Sequence, residues 1–396
     1  MSPLRVLYLQ PAAHFGGAER QAATIVPVLR DLGVETTPMV GPGDEILAWL
    51  AERGVGDAVF SRNFPGGWPK LAGPRRAVLP WRYVRCMTEL MREIEEVVVA
   101  RKIDVIYAAM AIAWIAATPV ARRLGIPIVW RAGGTECSPA ERRWLSIFTR
   151  FYRPDHLVCN GEAVRSMYAP MVRAPATVIR NGIDARQFRP GLGDRAKLRV
   201  PGARVVIGFA GRMVPQKRPE DFIEVAARLA PVSDVAFLLA GDGSRRAYYA
   251  EYARAAGAHT LSVIGYVHDM RDFYAACDVL VLPSRAEGCP NVVLEAMAMG
   301  TTVIAADTPA TREIVTHGAD GMLYPVGDRE ALQSAIAELL VYPEQRELIV
   351  ARAYRRVAAL TARECAVRTA ALLHDVAASR RPRSSQAPAP HMVLQA

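Results

Sequence analysis

Glu287 and Glu295, with Arg212 and Lys217 upstream of them, are the residues whose types and spacing carry the most chemistry in this chain. Between the two acids the chain reads Gly288-Cys-Pro-Asn-Val-Val-Leu294, and from Val292 to Met299 every residue but Glu295 is apolar, up to Gly300. A helix tolerates proline in its first turn and commonly stops at glycine, so this stretch predicts a tight turn entering a helix. The first N–H groups of that helix, near Asn291 and Val292, have no acceptor one turn back, and the helix dipole favours an anion there. Arg212 and Lys217 lie five residues apart in one loop, close enough for both to reach a diphosphate. Arginine offers a planar fork of donors and lysine a compact charge. A carboxylate is a poor phosphate ligand but a good acceptor for sugar hydroxyls. The four side chains and the helix end therefore suit a nucleoside diphosphate sugar.

The elements that must hold these residues can be read from hydrophobic runs. Short apolar strands are predicted at 4–9, 34–40, 57–61, 104–108, 126–131, 155–159 and 177–180. A second series runs 204–209, 235–240, 261–265, 277–282, 302–306 and 321–324, and helical patterns fall between the strands of both series. This alternation predicts an α/β chain with two Rossmann-like, doubly wound parallel sheets joined by right-handed crossovers. Gly16-Gly-Ala-Glu-Arg20 follows the first strand, without the dinucleotide fingerprint or a P-loop's lysine. Paired glycines there allow close approach of backbone to a ligand or to another domain. The turn-rich run from Asn181 marks the linker. We expect a first domain at 1–185, a linker at 186–202 and a second domain at 203–350. A helix at 351–378, the end of one long helix from 344, should return toward the first domain, leaving a disordered tail at 379–396.

Length and composition fit a two-domain globular protein: 396 residues, half of them hydrophobic. Of the formal net charge of +10, all the excess lies in residues 1–200, which hold 28 Lys and Arg against 18 Asp and Glu. That asymmetry points to an acidic partner, such as a phosphorylated lipid, an anionic membrane surface or an acidic glycan. The loop at 63–85 interleaves Trp68, Arg75 and Arg76 with further basic and aromatic residues, a pattern that can lie at a lipid headgroup surface, hold a phosphorylated acceptor, or form a solvated loop that packs its tryptophans on the core. No recognisable nucleic-acid module accompanies the charge. Cys86, Cys137, Cys159, Cys277, Cys289 and Cys365 include no CxxC pair, which argues against a zinc site or disulfide framework and for a reducing compartment. The start lacks a signal-peptide pattern. The apolar stretch 105–121 carries Thr118 and Pro119 and falls short of the roughly 20 residues of a membrane span. We expect a cytoplasmic protein with no metal cofactor, peripheral membrane contact being compatible with its charge.

Gly16-Gly-Ala-Glu19, Asn181-Gly-Ile-Asp184, Gly211-Arg212 with Lys217, Gly241-Asp-Gly243 and Glu287-x7-Glu295 occur in this order. The array resembles retaining glycosyltransferase family 4, the group 1 glycosyl transferases, of GT-B architecture, from about residue 5 to residue 376. By that resemblance Arg212 and Lys217 neutralise the diphosphate leaving group, helped by backbone from Gly288, Cys289 and Pro290 to Asn291 and Val292. Glu295 accepts from ribose hydroxyls, Glu287 from hydroxyls of the donor sugar, and Ile264, Gly265 and Tyr266 hold the base. Gly16 and Gly17 approach the phosphates from the opposite domain. The resemblance implies no metal requirement. It also implies a histidine where this chain has Gly133; Arg131 is a candidate substitute on the acceptor side, although guanidinium cannot serve as a base near neutral pH. Arg218 stands where a glycine often follows the lysine. The competing readings are a nucleotide-sugar-binding regulatory protein and an epimerase of the same architecture.

Overall fold

A computed structural model describes residues 3–11, 16–41, 44–64, 79–198, 200, 205–232 and 234–380 as two parallel sheets with helices on both faces. The first sheet comprises β1 (Leu4–Gln10), β2 (Val34–Val40), β3 (Val59–Phe60), β4 (Val105–Ala109), β5 (Ile128–Ala132), β6 (His156–Cys159) and β7 (Ala176–Val178). The second comprises β8 (Val205–Ala210), β9 (Val235–Ala240), β10 (Leu261–Gly265), β11 (Val279–Leu282), β12 (Thr302–Ala306) and β13 (Met322–Tyr324). The strand orders are β3-β2-β1-β4-β5-β6-β7 and β10-β9-β8-β11-β12-β13. Every residue of β4, β5, β11 and β12 is buried, which is why these strands are continuous apolar runs rather than alternating ones. The two doubly wound sheets expected from the alternation are observed.

In each sheet the strand order reverses once, between β1 and β4 and between β8 and β11. Crevices for ligands form at such switch points, beyond the carboxyl ends of the strands. The Gly16–Gly17 turn lies beyond β1, the Arg212 loop follows β8, and the Glu287 turn follows β11. Topology alone thus brings the candidate residues to the two facing edges.

The helix Met110–Leu124 is pinned to β5 by its aromatic side chains. Trp114 and Trp130 stack with centroids 4.9 Å apart and planes 3° off parallel. Their indole N–H groups donate to the Ala108 carbonyl and to Thr118 Oγ1, both at 2.9 Å. The stretch at 105–121 is therefore a strand and a buried helix. Among the described residues no helix is long and apolar enough to cross a membrane.

The C-terminal region differs from expectation, because the long helix predicted from residue 344 is two helices, Pro343–Val357 and Ala362–Arg380. The break has a backbone cause. Ile183 N–H donates to the Leu360 carbonyl and Ala362 N–H to the Ile183 carbonyl, both at 2.8 Å, so 358–361 is held against the linker. A Cβ at Gly182 would come 2.3 Å from the Thr361 carbonyl oxygen, so only glycine allows this approach. The first of these helices packs on the second domain through Ile349, Ala353 and Val357. The second returns to the first domain, where Cys365, Ala366 and Leu373 join the core that contains Ala22, Ile25 and Val26. Residues 351–357 thus belong with the second domain. Of the expected tail and linker, residues 381–396, 199, 201 and 202 lie outside the described residues.

Candidate functional site

The second domain supplies the wall that carries both acids. Helix Asn291–Met299 has Pro290 as its extended N-cap residue, one position earlier than the sequence suggests, and Gly300 stops it in the left-handed conformation. One turn into the helix, Glu295 is buried. Its carboxylate accepts from Tyr274 Oη at 2.7 Å and, with both oxygens, from Arg20 Nη2 at 2.7 Å. Burial, and then the Glu295 charge, push the Tyr274 phenol well above its ordinary pKa, so it stays a hydrogen-bond donor. Glu287 is also buried, and its Oε1 lies 2.5 Å from Lys217 Nζ. The two loops are clamped together, since Gln216 Nε2 donates to the Ala286 carbonyl and Arg285 N–H to the Gln216 carbonyl. Arg212 is exposed at the start of the same loop, which Met213 N–H fastens to the Asp242 carbonyl at 2.8 Å. Gly241 N–H donates to the Gly265 carbonyl at 2.7 Å, bringing the 241–243 turn beside half-buried Ile264 and exposed Tyr266.

The first domain supplies the facing wall. Gly16 caps helix Gly17–Asp31, and Glu19 reaches back from the first turn to accept from Gly16 N–H at 2.9 Å. Gln10 Nε2 donates to the other Glu19 oxygen at 3.2 Å. Burial raises the Glu19 pKa, while these hydrogen bonds and the positive charge of Arg212 across the cleft pull it back. The Gly17 carbonyl accepts from Asn291 Nδ2 at 2.8 Å, so the glycine turn does meet the start of the acid-bearing helix.

Arg131 is placed differently from its reading as an acceptor-side residue. It is buried, with Nη2 2.6 Å from Asn181 Oδ1 and Nη1 3.3 Å from Tyr107 Oη. Asn181 Nδ2 in turn donates to Asn291 Oδ1 at 2.7 Å. Arg131 therefore braces the linker against the start of helix Asn291–Met299, because it points to the face of β5 that Tyr107 shares. Gly133 has become a point of contact between the domains. A Cβ at Gly288 would stand 2.1 Å from the Gly133 carbonyl oxygen, and Asn160 Nδ2 donates to that same oxygen at 3.2 Å. Thr135 Oγ1 donates to the Glu287 carbonyl at 2.8 Å, and Arg285 pairs with Glu136 at 3.1 Å. Trp68, Arg75 and Arg76 lie outside the described residues.

Arg218 adopts φ 49° and ψ 52°, the left-handed conformation, which accounts for the usual glycine. Its guanidinium is held by Asp221, a buried acid that Arg329 also reaches at 2.9 Å. The sequence reading missed Arg20, Glu19 and Tyr274. Arg20 and Glu19 sat in the quoted glycine motif, whereas nothing local marked Tyr274. It missed Glu313 as well. That carboxylate, from the second domain, accepts from Glu162 N–H at 2.9 Å and Ala163 N–H at 2.8 Å, capping the first-domain helix Glu162–Val172. Among the described residues no three His, Cys, Asp or Glu side chains gather to hold a metal. The cleft thus joins a helix N-terminus, two cations and two buried acids, a set able to bind a diphosphate and the hydroxyls of attached sugars.

Comparison with known proteins agrees with this chemistry. The model described as Glycosyltransferase Family 4 matches residues 15–187, and that described as Glycosyl transferases group 1 matches residues 204–341. The chain is 31% identical over 172 residues to the lipopolysaccharide core biosynthesis glycosyltransferase LpsE of Rhizobium meliloti (strain 1021), covering 43% of this chain and 50% of the relative. It is 32% identical over 174 residues to a GDP-mannose-dependent alpha-mannosyltransferase of Mycobacterium tuberculosis (strain CDC 1551 / Oshkosh), covering 43% and 44%. These matches span about half the length of the curated relatives. Among solved structures, Anabaena Alr3699/HepE in complex with UDP and glucose superposes with a TM-score of 0.77 at 21% identity, covering 94% of this chain and 100% of that one. Sucrose-phosphate synthase from Thermosynechococcus elongatus superposes with a TM-score of 0.76 at 16% identity, covering 95% and 100%. Both superpositions carry the two-domain GT-B fold.

Proposed function

Since the chain belongs to the family 4 and group 1 glycosyltransferases, we propose that it transfers a sugar from a nucleoside diphosphate sugar to a hydroxyl acceptor, with retention at the anomeric carbon. The observation that carries this reading is the convergence of Lys217, Glu287 and the Asn291–Met299 helix N-terminus opposite Gly17. In the reaction the bond between the anomeric carbon and the β-phosphate oxygen breaks, and the diphosphate leaves with the electron pair. The acceptor oxygen bonds to the same carbon, and its proton passes to the leaving phosphate. Charge grows on the diphosphate, where Lys217, Arg212 and the helix N–H groups would stabilise it. With those donors the transfer needs no metal, and chelation should leave the rate unchanged. Glu287 would accept from the donor sugar and Glu295 from the ribose, which must then displace or share the Arg20 guanidinium.

The acceptor belongs to glycan, glycolipid or glycosylated-metabolite synthesis of bacterial type, a reading supported by relatives named for lipopolysaccharide core synthesis and mannosyl transfer. A lipid-linked or acidic acceptor fits the basic first half, and the reaction would take place in the cytoplasm. Gly133, in place of the family's histidine, favours one second reading: a protein that binds nucleotide sugar without transferring it. Turnover of nucleotide sugars with and without acceptor, followed by mass spectrometry, separates the two. Glu295→Ala and Lys217→Ala should each abolish turnover while the protein stays folded. Full activity in either variant would overturn the assignment.

A further inference from the structure

We infer that the end of the first domain opposite the cleft is a docking surface for an anionic lipid bilayer, a proposal independent of the transfer reaction. The helices Leu79–Ala100, Met110–Leu124 and Pro139–Phe151 each lead back to the start of the next strand, β4, β5 or β6. Their C-terminal ends therefore gather at the sheet edge opposite the Gly16 and Gly133 turns. Each end is followed or closed by exposed cations: Arg101 and Lys102, Arg122 and Arg123, Arg150 and Arg153. Arg122 Nη2 donates to the Arg153 carbonyl at 2.6 Å, and Arg123 pairs with Glu95 of the neighbouring helix, so the three ends form one surface. Two acids at this edge are already engaged, while Glu96 stays exposed beside Val99. Asp104 accepts from Arg5 N–H and Asp155 from Ile128 N–H, both at 2.9 Å.

Between the cations stand large apolar side chains in contact with solvent: Phe151 is 75% exposed, Val99 63% and Ile147 50%. Ile147 and Phe151 are four residues apart and share one helix face. Single exposed apolar residues are ordinary on a protein surface. A group of them ringed by guanidinium and ammonium groups matches a bilayer interface, where rings enter the acyl boundary and cations meet lipid phosphates. The basic excess of the first 200 residues is concentrated in part on this edge. The cleft end of the same domain is a poorer fit. Trp81 and Val84 are 77% and 55% exposed there, but Arg85 beside them is paired with Glu89 at 2.8 Å, whereas of the six cations at the opposite edge Arg123 alone forms an ion pair among the described residues.

Co-sedimentation of the full chain with vesicles tests the proposal, using phosphatidylcholine alone and phosphatidylcholine mixed with phosphatidylglycerol. The protein should sediment with the anionic vesicles only, and less so at high salt. The variant Arg150→Ser/Phe151→Ser/Arg153→Ser should bind them about tenfold more weakly or worse, with an unchanged circular dichroism spectrum and melting temperature. Binding by this variant equal to wild type, or loss of binding in Trp81→Ser instead, would overturn the assignment. So would absence of vesicle binding by the wild type together with a dimer, detected by light scattering, that Phe151→Ser dissolves.

Discussion

Glu295 and Glu287 show why two acids of the same type, in one stretch, hold different places. Glu295 is tied to Tyr274 in its own domain and to Arg20 across the cleft, while Glu287 is tied to Lys217. A ligand that binds Glu295 therefore competes with a contact between domains, and one that binds near Glu287 competes with a contact inside one domain. Glu19, behind the glycine turn, makes the burial of acids in this cleft measurable. Its folded pKa is raised, so the folded state keeps the proton longer than the unfolded chain does. Charging Glu19 therefore costs stability that is absent below the ordinary glutamate pKa and grows as pH rises through the raised one. The melting temperature of Glu19→Gln minus that of wild type should increase with pH across that window, by a few degrees at most. A pH-independent difference would show that Glu19 titrates normally. None of this could be read from the sequence, because burial is decided by Gln10, Gly16 and the opposite domain together.

At the level of elements, the helix starts and ends were the most legible part. Gly300 and the run of apolar residues before it marked helix Asn291–Met299 to within a residue at its start. The strands were equally plain, since burial on both faces leaves an unbroken apolar signal. The break at 358–361 was invisible, for its cause is the Ile183 backbone from far upstream. The same holds for Glu313, which caps helix Glu162–Val172 from the other domain. Here a structural test applies. Losing a helix cap costs about 1 kcal/mol, and in this case the loss falls on the interface between domains. Glu313→Ala should lower the melting temperature modestly and enlarge the radius of gyration measured by X-ray scattering without nucleotide. An unchanged radius would mean that the cap stabilises the helix without helping to hold the domains together.

The whole molecule is two doubly wound domains whose switch points face each other, joined by a linker and a returning C-terminal helix. That arrangement follows from the alternation of elements and the order of motifs. The contacts that hold the cleft together, Arg20 with Glu295, Asn291 with Gly17 and Gly288 against Gly133, follow only from folding. They explain how residues 275 positions apart come to share one site. The central claim is that this cleft releases a nucleoside diphosphate from a nucleotide sugar, with Lys217 stabilising the departing charge. The most direct test is release of UDP and GDP from a panel of nucleotide sugars, with hydroxyl acceptors supplied, by wild type and by Lys217→Met. Wild type should consume one donor class, and Lys217→Met should be slower by about a hundredfold or more with its melting temperature nearly unchanged. Equal rates for the two proteins, or no consumption of any nucleotide sugar by wild type, would contradict the account.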